Sequence, residues 1–586
     1  MIILDDSRDS LLTEFGKITL KEQYCLPGES YQEAFARAAT AFSGGDEALA
    51  QRLYDYASKQ WFAFSTPLLA NGGTKRGLPI SCFLNYVEDS IQGLVDNFSE
   101  NAVLSTNGGG IGTYWGKVRS VGESTSRGVE TPGVMPFMHV QDAQSLAYHQ
   151  GKTRRGSAAT YLDVSHPEIF EFINMRSSTG GDVHRKNENL HHGVNIPDAF
   201  MEAVESDGDW QLIDPNSKRI TETVKARKLW IAILQQRLKL GEPYIFFVDT
   251  ANKALPQSLK EWGLKIHHSN LCTEITLPTN KDRTAVCCLS SINLSKFNDW
   301  WFVKEQFITD LITMLDNVIT EFCQNAPDGM WRAVQSARSE RSLGLGTLGF
   351  HTLLQANGIA MDSERAKELN LLIYKNIQEL AVEASKGLAK KRGECFDMIG
   401  TGMRNAHLIA IAPNASSSII CGGVSPSIEP LAANAFIQKT RVGSHLVKNP
   451  ALVEYLTNIL KNTEDVWSSI VKNNGSVQHL DFIPEKEKAV FKTAREISMS
   501  TVVELAADRQ QYICQAQSLN LFLPPKITTK ELHEIHFSAW KKGLKSLYYL
   551  RSSSVKSTNT GAIPVAPKEP EAVACELGSD CKACEG

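Results

Sequence analysis

Residues 269–279 read SNLCTEITLPT. Asn270, Cys272 and Glu274 are spaced by two, so a β-strand would put all three side chains on one face and Leu271, Thr273 and Ile275 on the other. A cysteine that only fills a core and a glutamate that only meets water belong on opposite faces. Sharing one face, they group a sulfur that can react, a general base and a hydrogen-bonding amide. The spacing therefore predicts a strand over 270–274 with a chemical surface. On both sides of it, short apolar runs alternate with amphipathic segments, the pattern of an α/β protein. Phe307, Leu311, Leu315, Val318 and Phe322 recur at helical spacing. Residues 31–62 and 487–516 also read as helical.

The chain has 586 residues, 42% hydrophobic and 22% charged, which is the balance of a globular protein with a large core. That length allows about four domains, although one large barrel can take several hundred residues. A net charge of −4 and the lack of a long basic run exclude nucleic-acid binding by charge alone. No apolar stretch reaches the ~18 residues that a membrane span needs. The start, MIILDDSRDS, has neither the basic residues nor the apolar core of a signal peptide. A cytoplasmic location is expected. The 12 cysteines are mostly scattered singly, so a structural disulfide framework is not expected.

Further motifs carry possible chemistry. Cys82 in GLPISCFL and Cys287 in AVCCLSSINL lie in apolar, β-branched segments. Read blandly they are two core cysteines. Read chemically they are a dithiol, which requires their Cα atoms to approach within about 4.4–6.8 Å. Cys288 would face away from Cys287 on a strand. The tail CELGSDCKACEG holds Cys575 and the CxxC pair Cys581 and Cys584, a spacing that suits disulfide exchange better than zinc, which needs about four ligands. The preceding 553–574 segment reads as a flexible linker of about 26 Å root-mean-square span, at ~5.5 Å times the square root of its length. PNASSSII at 413–420 reads as a loop entering a helix, with backbone N–H groups open to an anion. STPLLANGG at 65–73 offers a second hydroxyl-bearing turn. The glycines of TNGGGIGTYWG permit close backbone approach but lack a dinucleotide fingerprint. Arg154 and Arg155 sit beside glycine in a loop that reads equally as a phosphate grip or as a solvated turn. Tyr548 and Tyr549 are adjacent aromatics near the end of the folded part.

NLCTE, the GGGIG run, PNASSS, LYYLR and the cysteine tail, in this order, closely resemble the large, catalytic subunit of class I ribonucleotide reductase. The likeness runs from about residue 15 to the C-terminus. It implies a ten-stranded α/β barrel over 79–552, a short N-terminal helical region over 1–78, and a flexible linker with a redox-active cysteine tail over 553–586. In that family the reactive cysteine sits on a loop inside the barrel. The resemblance assigns Cys272 the transient thiyl radical, Glu274 the proton of the substrate 3′-hydroxyl, and Asn270 the orientation of both. It makes Cys82 and Cys287 the reducing pair, Cys581 and Cys584 the shuttle that restores them, and Tyr548 and Tyr549 the end of the radical route.

The same likeness implies that Thr66, Ser81, Gly110, Asn414, Ala415, Ser416 and Ser417 bind substrate. Asp89 and Arg119 would bind a nucleoside triphosphate effector, dNTP or ATP, at a homodimer interface, and 151–157 would carry its message to the substrate base. The implied partners are a dimetal small subunit that supplies the radical, thioredoxin or glutaredoxin, and a ribonucleoside diphosphate. No group is bound covalently. Only about 20 residues precede TLKEQYCLPGES, so the family's ATP cone is expected to be absent. Two other readings remain open: a cobalamin-dependent reductase with the same barrel, which the Tyr548–Tyr549 doublet disfavours, and a non-catalytic nucleotide-binding regulator, which the intact cysteines disfavour.

Overall fold

The computed structural model describes residues 2–80, 82–148, 157–178, 180–440 and 443–552. Ser81, the stretch 151–156, and Cys575, Cys581 and Cys584 lie outside the described residues. Near the N-terminus, Ser30 and Glu33 form a capping box on helix Tyr31–Ala41, and Asp46 caps helix Glu47–Ser58. Gly44 and Gly45 between them take left-handed φ values of 64° and 85°. The helical stretch expected over 31–62 is thus two helices, and its end runs into a strand.

The strands that build the site are β1 (Phe62–Phe64), β2 (Cys82–Tyr86), β3 (Gly110–Tyr114), β4 (Ser157–Asp163), β5 (His191–Ile196), β6 (Tyr244–Phe247), β7 (Ala285–Asn293), β8 (Leu343–Leu348) and β9 (Ser546–Leu547). Strands β2, β3, β4, β5 and β6 pair in parallel in that order. A second parallel run starts with β7 and β8, then continues through bridges from Leu345 to Ile409 and from Ile411 to Gln517. The Tyr548 N–H donates to Leu519 O at 2.9 Å, and just downstream Leu521–Leu523 pairs in parallel with Leu550–Ser552. The runs meet antiparallel at two seams, β2 against β7 and β6 against β9. The result is a closed ring of two five-stranded halves: β2 to β6 on one side, and β7, β8, 409–411, 515–519 and β9 on the other. Strand β1 adds to β7 beyond the first seam.

Closure requires alternation along each wall strand. On β7, Cys287 and Leu289 point inward, clustering with Cys82, Leu84, Ala410 and Ala412. Val286, Cys288 and Ile292 point outward into the helical layer. There the Cys288 thiol donates to Leu315 O of helix Lys304–Asn325 at 3.4 Å. That helix buries Phe307, Leu311, Leu315, Val318 and Phe322, the stripe read from the sequence.

Two expectations are corrected. Residues 487–516 are not one helix but Glu485–Val490 and Met499–Gln510, followed by extended chain in the wall. Between the helices, the Glu496 carboxylate takes the N–H and O–H of Thr493, a local turn that replaces helical bonding. Nor is 270–274 a strand. It lies on a loop between β6 and β7 that threads the ring, and Thr273 is left-handed at φ 69°. Such a φ is costly for a β-branched residue, by about 1–3 kcal/mol, and breaks strand alternation.

The loop passes so close to β3 that a Cβ on Gly112 would overlap the Ser269 carbonyl oxygen and lie 2.8 Å from Asn270 Cα. Gly112→Ala is therefore expected to destabilise the fold by ~1–3 kcal/mol, the usual size of an overpacking penalty. It should also displace the 269–270 backbone. A lowered thermal midpoint, with loss of the Asn270–Cys82 contact in a crystal structure of the variant, is the check.

Candidate active site

The inner loop is held by the wall on every side. Tyr161 of β4 donates its hydroxyl to Asn270 O at 2.6 Å, and His268 Nε2 lies 3.0 Å from Gly112 O. Ser518 donates to Cys272 O at 2.6 Å, Ser546 to Thr273 O at 2.8 Å, and the Ala516 N–H to Glu274 O at 2.8 Å. Asn270 Oδ1 accepts the Ile275 N–H at 3.1 Å, closing a tight turn across the loop. These ties aim the side chains that a strand would have aligned.

Asn270 Nδ2 reaches Cys82 Sγ at 3.5 Å. Cys82 and Cys287 are directly opposite in the antiparallel register of β2 and β7. Antiparallel partners have Cα atoms roughly 4.5–5.5 Å apart, inside the window for a disulfide. Gln515 Nε2 lies 3.7 Å from Cys287 Sγ and donates toward it. Burial holds the Cys287 thiol well above its ordinary pKa, with Cys288 and Cys82 pushing the same way. It is therefore an S–H at neutral pH, a hydrogen donor.

The Tyr548 hydroxyl points at Cys272 Sγ across 3.7 Å. Tyr548, Tyr549 and Tyr244 form one aromatic group, with ring centroids 4.3, 4.9 and 5.1 Å apart. Glu274 Oε2 lies 3.1 Å from Ser518 Oγ, whose shorter bond goes to Cys272 O. Cys272, Asn270 and Glu274 are all buried, as are Cys82 and Cys287. The site thus joins a thiol backed by tyrosines, a carboxylate, an amide and a dithiol, with bulk water kept out.

Other expected site residues fall into two groups. Gly110 lies opposite Cys82 in the β2–β3 register. Asn414, left-handed at φ 56°, precedes the short helix Ala415–Ile420 and accepts from Ser291 Oγ at 2.9 Å. Ser290, beside Ser291 on β7, faces Phe64 of β1, and β1 leads through Ser65 to Thr66, whose hydroxyl lies 3.2 Å from that of Tyr24. Thr66, Ser416 and Ser417 are buried. This end of β7 is about 10 Å from Cys287, at ~3.3 Å per residue. Separately, Arg119 Nε donates to Asp89 Oδ2 at 2.8 Å, beyond the C-terminal ends of β2 and β3, and Asn216 Nδ2 donates to the same oxygen at 2.8 Å.

Sequence reasoning missed Gln515, Ser518 and Tyr161. Polar residues at 515, 517, 518 and 520 in QAQSLN were a signal, concealed at Gln515 by the helix read over 487–516 and left unassigned beyond it.

The chain matches the family model described as "Ribonucleotide reductase, barrel domain" over residues 80–401 and 396–550, and the one described as "Ribonucleotide reductase, all-alpha domain" over 10–77. It belongs to the ribonucleotide reductase large-subunit family. A Frog virus 3 protein is 48% identical over 562 residues, 95% of this chain and 96% of its own. The ribonucleoside-diphosphate reductase large subunit of Invertebrate iridescent virus 3 is 42% identical over 644 aligned residues, spanning all of both chains. Among solved structures, the Actinobacillus ureae class Id ribonucleotide reductase alpha subunit superposes with a TM-score of 0.83 at 36% identity, covering 94% of this chain and 98% of that one. The closed ring agrees with the reductase barrel expected from the sequence.

The register makes a direct prediction about this reductase fold. Mild oxidation should join Cys82 to Cys287. Non-reducing peptide mapping should find that crosslink in wild type and in Cys288→Ser, and lose it in Cys82→Ser. A Cys82–Cys288 crosslink would contradict the inward and outward assignment of β7.

Proposed function

We propose that this chain is the substrate-reducing subunit of a ribonucleoside-diphosphate reductase, converting ribonucleotides to 2′-deoxyribonucleotides with a radical from a separate small subunit. The observation that carries the reading is the convergence inside one ring of Cys272, backed by Tyr548, with the Cys82–Cys287 cross-strand pair reached by Asn270.

In this reading Cys272, as a thiyl, takes the 3′ hydrogen atom of the bound ribose and becomes a thiol. Glu274 accepts the 3′-hydroxyl proton. The carbon radical then expels the 2′-hydroxyl, which leaves as water with a proton from the Cys82–Cys287 dithiol. The dithiol supplies two electrons and becomes a disulfide: its second hydrogen goes to C2′, Glu274 returns its proton to the 3′ oxygen, and Cys272 returns its hydrogen to C3′ and is again a thiyl. High thiol pKa suits this work, because the dithiol must hold its hydrogens until the sugar radical forms. Exclusion of water protects that radical.

Thr66, Ser81, Gly110 and Asn414 to Ser417 would hold the nucleotide, its diphosphate toward the Asn414 end of β7. Cys581 and Cys584 would reduce the disulfide and be recharged by thioredoxin or glutaredoxin. Helix Ile91–Thr106 exposes Ile91 and Val95, and helix Met135–Ala147 exposes Val140 and Leu146. Exposed apolar groups beside the Asp89–Arg119 pair support a homodimer face there, with a dNTP or ATP effector bound at its edge. The small subunit would carry the dimetal centre. Among the described residues no helix is long and apolar enough to cross a membrane; a cytoplasmic setting is part of the proposal.

Assay of dNDP formation with the small subunit tests this. Cys272→Ala should abolish turnover, and equal activity would end the thiyl reading. Glu274→Gln should lose roughly 10²–10⁴-fold, the usual share of general acid–base catalysis. Cys581→Ser with Cys584→Ser should stop after about one turnover with thioredoxin yet run normally on a small dithiol; sustained turnover with thioredoxin would reject the shuttle.

A further inference from the structure

Next to the tyrosine group lies a buried polar cluster that the reaction as described does not use. His191, the first residue of β5, has Nδ1 2.6 Å from Glu242 Oε1, 3.2 Å from the Tyr549 hydroxyl oxygen and 3.3 Å from Arg176 Nη1. Arg176 also forms a close ion pair with Glu242. The other Glu242 oxygen takes the His192 N–H at 3.1 Å and lies 3.1 Å from His192 Nδ1. Glu242 is almost fully buried and His191 nearly so.

An arginine, a carboxylate and histidines placed together in a core are costly unless they serve a purpose or are well paired. Burial alone would raise the Glu242 pKa, but Arg176 and His191 outweigh it and hold the carboxyl well below its ordinary value. Glu242 is therefore ionised. A contact of 2.6 Å between an ionised carboxylate and an imidazole nitrogen places a hydrogen on Nδ1. That one hydrogen is shared: its short arm goes to Glu242 Oε1 at 2.6 Å and its longer arm faces the Tyr549 oxygen at 3.2 Å. The Tyr549 ring is already fixed elsewhere: Arg551 lies 4.2 Å from its centroid, and Tyr244 and Tyr548 flank it.

We infer that His191, oriented by Glu242 and Arg176, is the positioning residue that holds the Tyr549 oxygen by a hydrogen bond both as a phenol and while it carries the unpaired electron. This rests on the reading of Tyr548 and Tyr549 as the radical route. In that route the one-electron oxidant of the small subunit removes the Tyr549 hydrogen as an electron and a proton, leaving a neutral oxygen radical. The Tyr548 O–H bond then breaks and a Tyr549 O–H bond forms, so the radical moves one ring inward. The Tyr548 radical in turn takes hydrogen from the Cys272 S–H. An oxygen that has lost its hydrogen can no longer donate. It is then an acceptor only, and the longer arm of the His191 Nδ1–H, shared with Glu242, is placed to donate to it.

The test uses the full chain with its small subunit. In wild type labelled with ¹⁵N-histidine and carrying 3-aminotyrosine at 549 to trap the radical, high-field electron paramagnetic resonance should detect an exchangeable hydrogen bond and a ¹⁵N coupling at the radical oxygen. His191→Ala should remove both signals. It should lower kcat about 10- to 100-fold, as misplacement of a reacting group does, with substrate KM changed less than about threefold. His191→Asn, whose amide N–H falls near Nδ1, should recover the exchangeable bond and most of kcat. Absence of the ¹⁵N coupling in the wild-type radical, or normal kcat in His191→Ala, would overturn the inference, and the first measurement needs no variant at 191 to fold. Tyr549→Phe separates the two levels: if it is inactive while His191→Ala is normal, only the His191 role falls, whereas an active Tyr549→Phe removes the tyrosine route itself.

Discussion

A loop buried inside a ring of strands has backbone polar groups that water cannot reach, and the wall must satisfy them. That constraint governs the site. The carbonyls of Asn270, Cys272, Thr273 and Glu274 are met by Tyr161, Ser518, Ser546 and the Ala516 N–H. Leaving one such group without a partner costs about 1–3 kcal/mol, so these donors are structural requirements before they are anything else. They come from strands on both halves of the ring. The aim of the Cys272 thiol is thus a property of the closed barrel, and the left-handed Thr273 is tolerated because its neighbours overdetermine it.

The same burial sets the chemistry. Low polarity around Cys287 keeps it a thiol, and the inward and outward alternation of β7 separates it from Cys288, which serves the helical layer. Two adjacent cysteines therefore have different work for a geometric reason. Gly344 on β8 fits the same picture: a Cβ there would stand 2.5 Å from Leu289 Cδ2 and 3.0 Å from Cys287 Sγ, so the inner face has no room for a side chain at this position.

Much of this was legible in the chain. Asn270, Cys272 and Glu274 stood out because an amide, a thiol and a carboxylate shared one expected face, whereas Cys82, Cys287 and the tyrosine doublet read alone as core residues and were singled out by the resemblance of their motifs. The opposite facing of Cys287 and Cys288 followed from a period of two. The conformation of 269–275 was not legible: alternation by two fits a strand, and only the packing that forces Thr273 to positive φ reveals a turn. The roles of Gln515 and Ser518 were hidden for a related reason. Helical propensity runs on past Gln510, and the extended path beyond it is imposed by hydrogen bonds exchanged with Ile411 and donated to Glu274 O, far off in sequence. The buried Arg176–Glu242–His191 cluster joins three segments with no local pattern at all.

In the proposed reaction, the two antiparallel seams would keep two kinds of redox chemistry apart. Each half contributes five strands, so the seams lie on opposite sides of the ring. One carries Cys82 and Cys287, which its antiparallel register sets directly opposite each other at disulfide distance. The other, where β6 meets β9, leads directly into Tyr548 and Tyr549 and carries Tyr244. The inner loop crosses between them, with Leu271 and Cys272 packed among the tyrosines and Ile275 and Leu277 among the residues around the dithiol. A one-electron route and a two-electron reductant placed side by side would consume each other. The inner loop lies between the tyrosines and the dithiol, so in the proposed reaction the substrate would be the group that connects them.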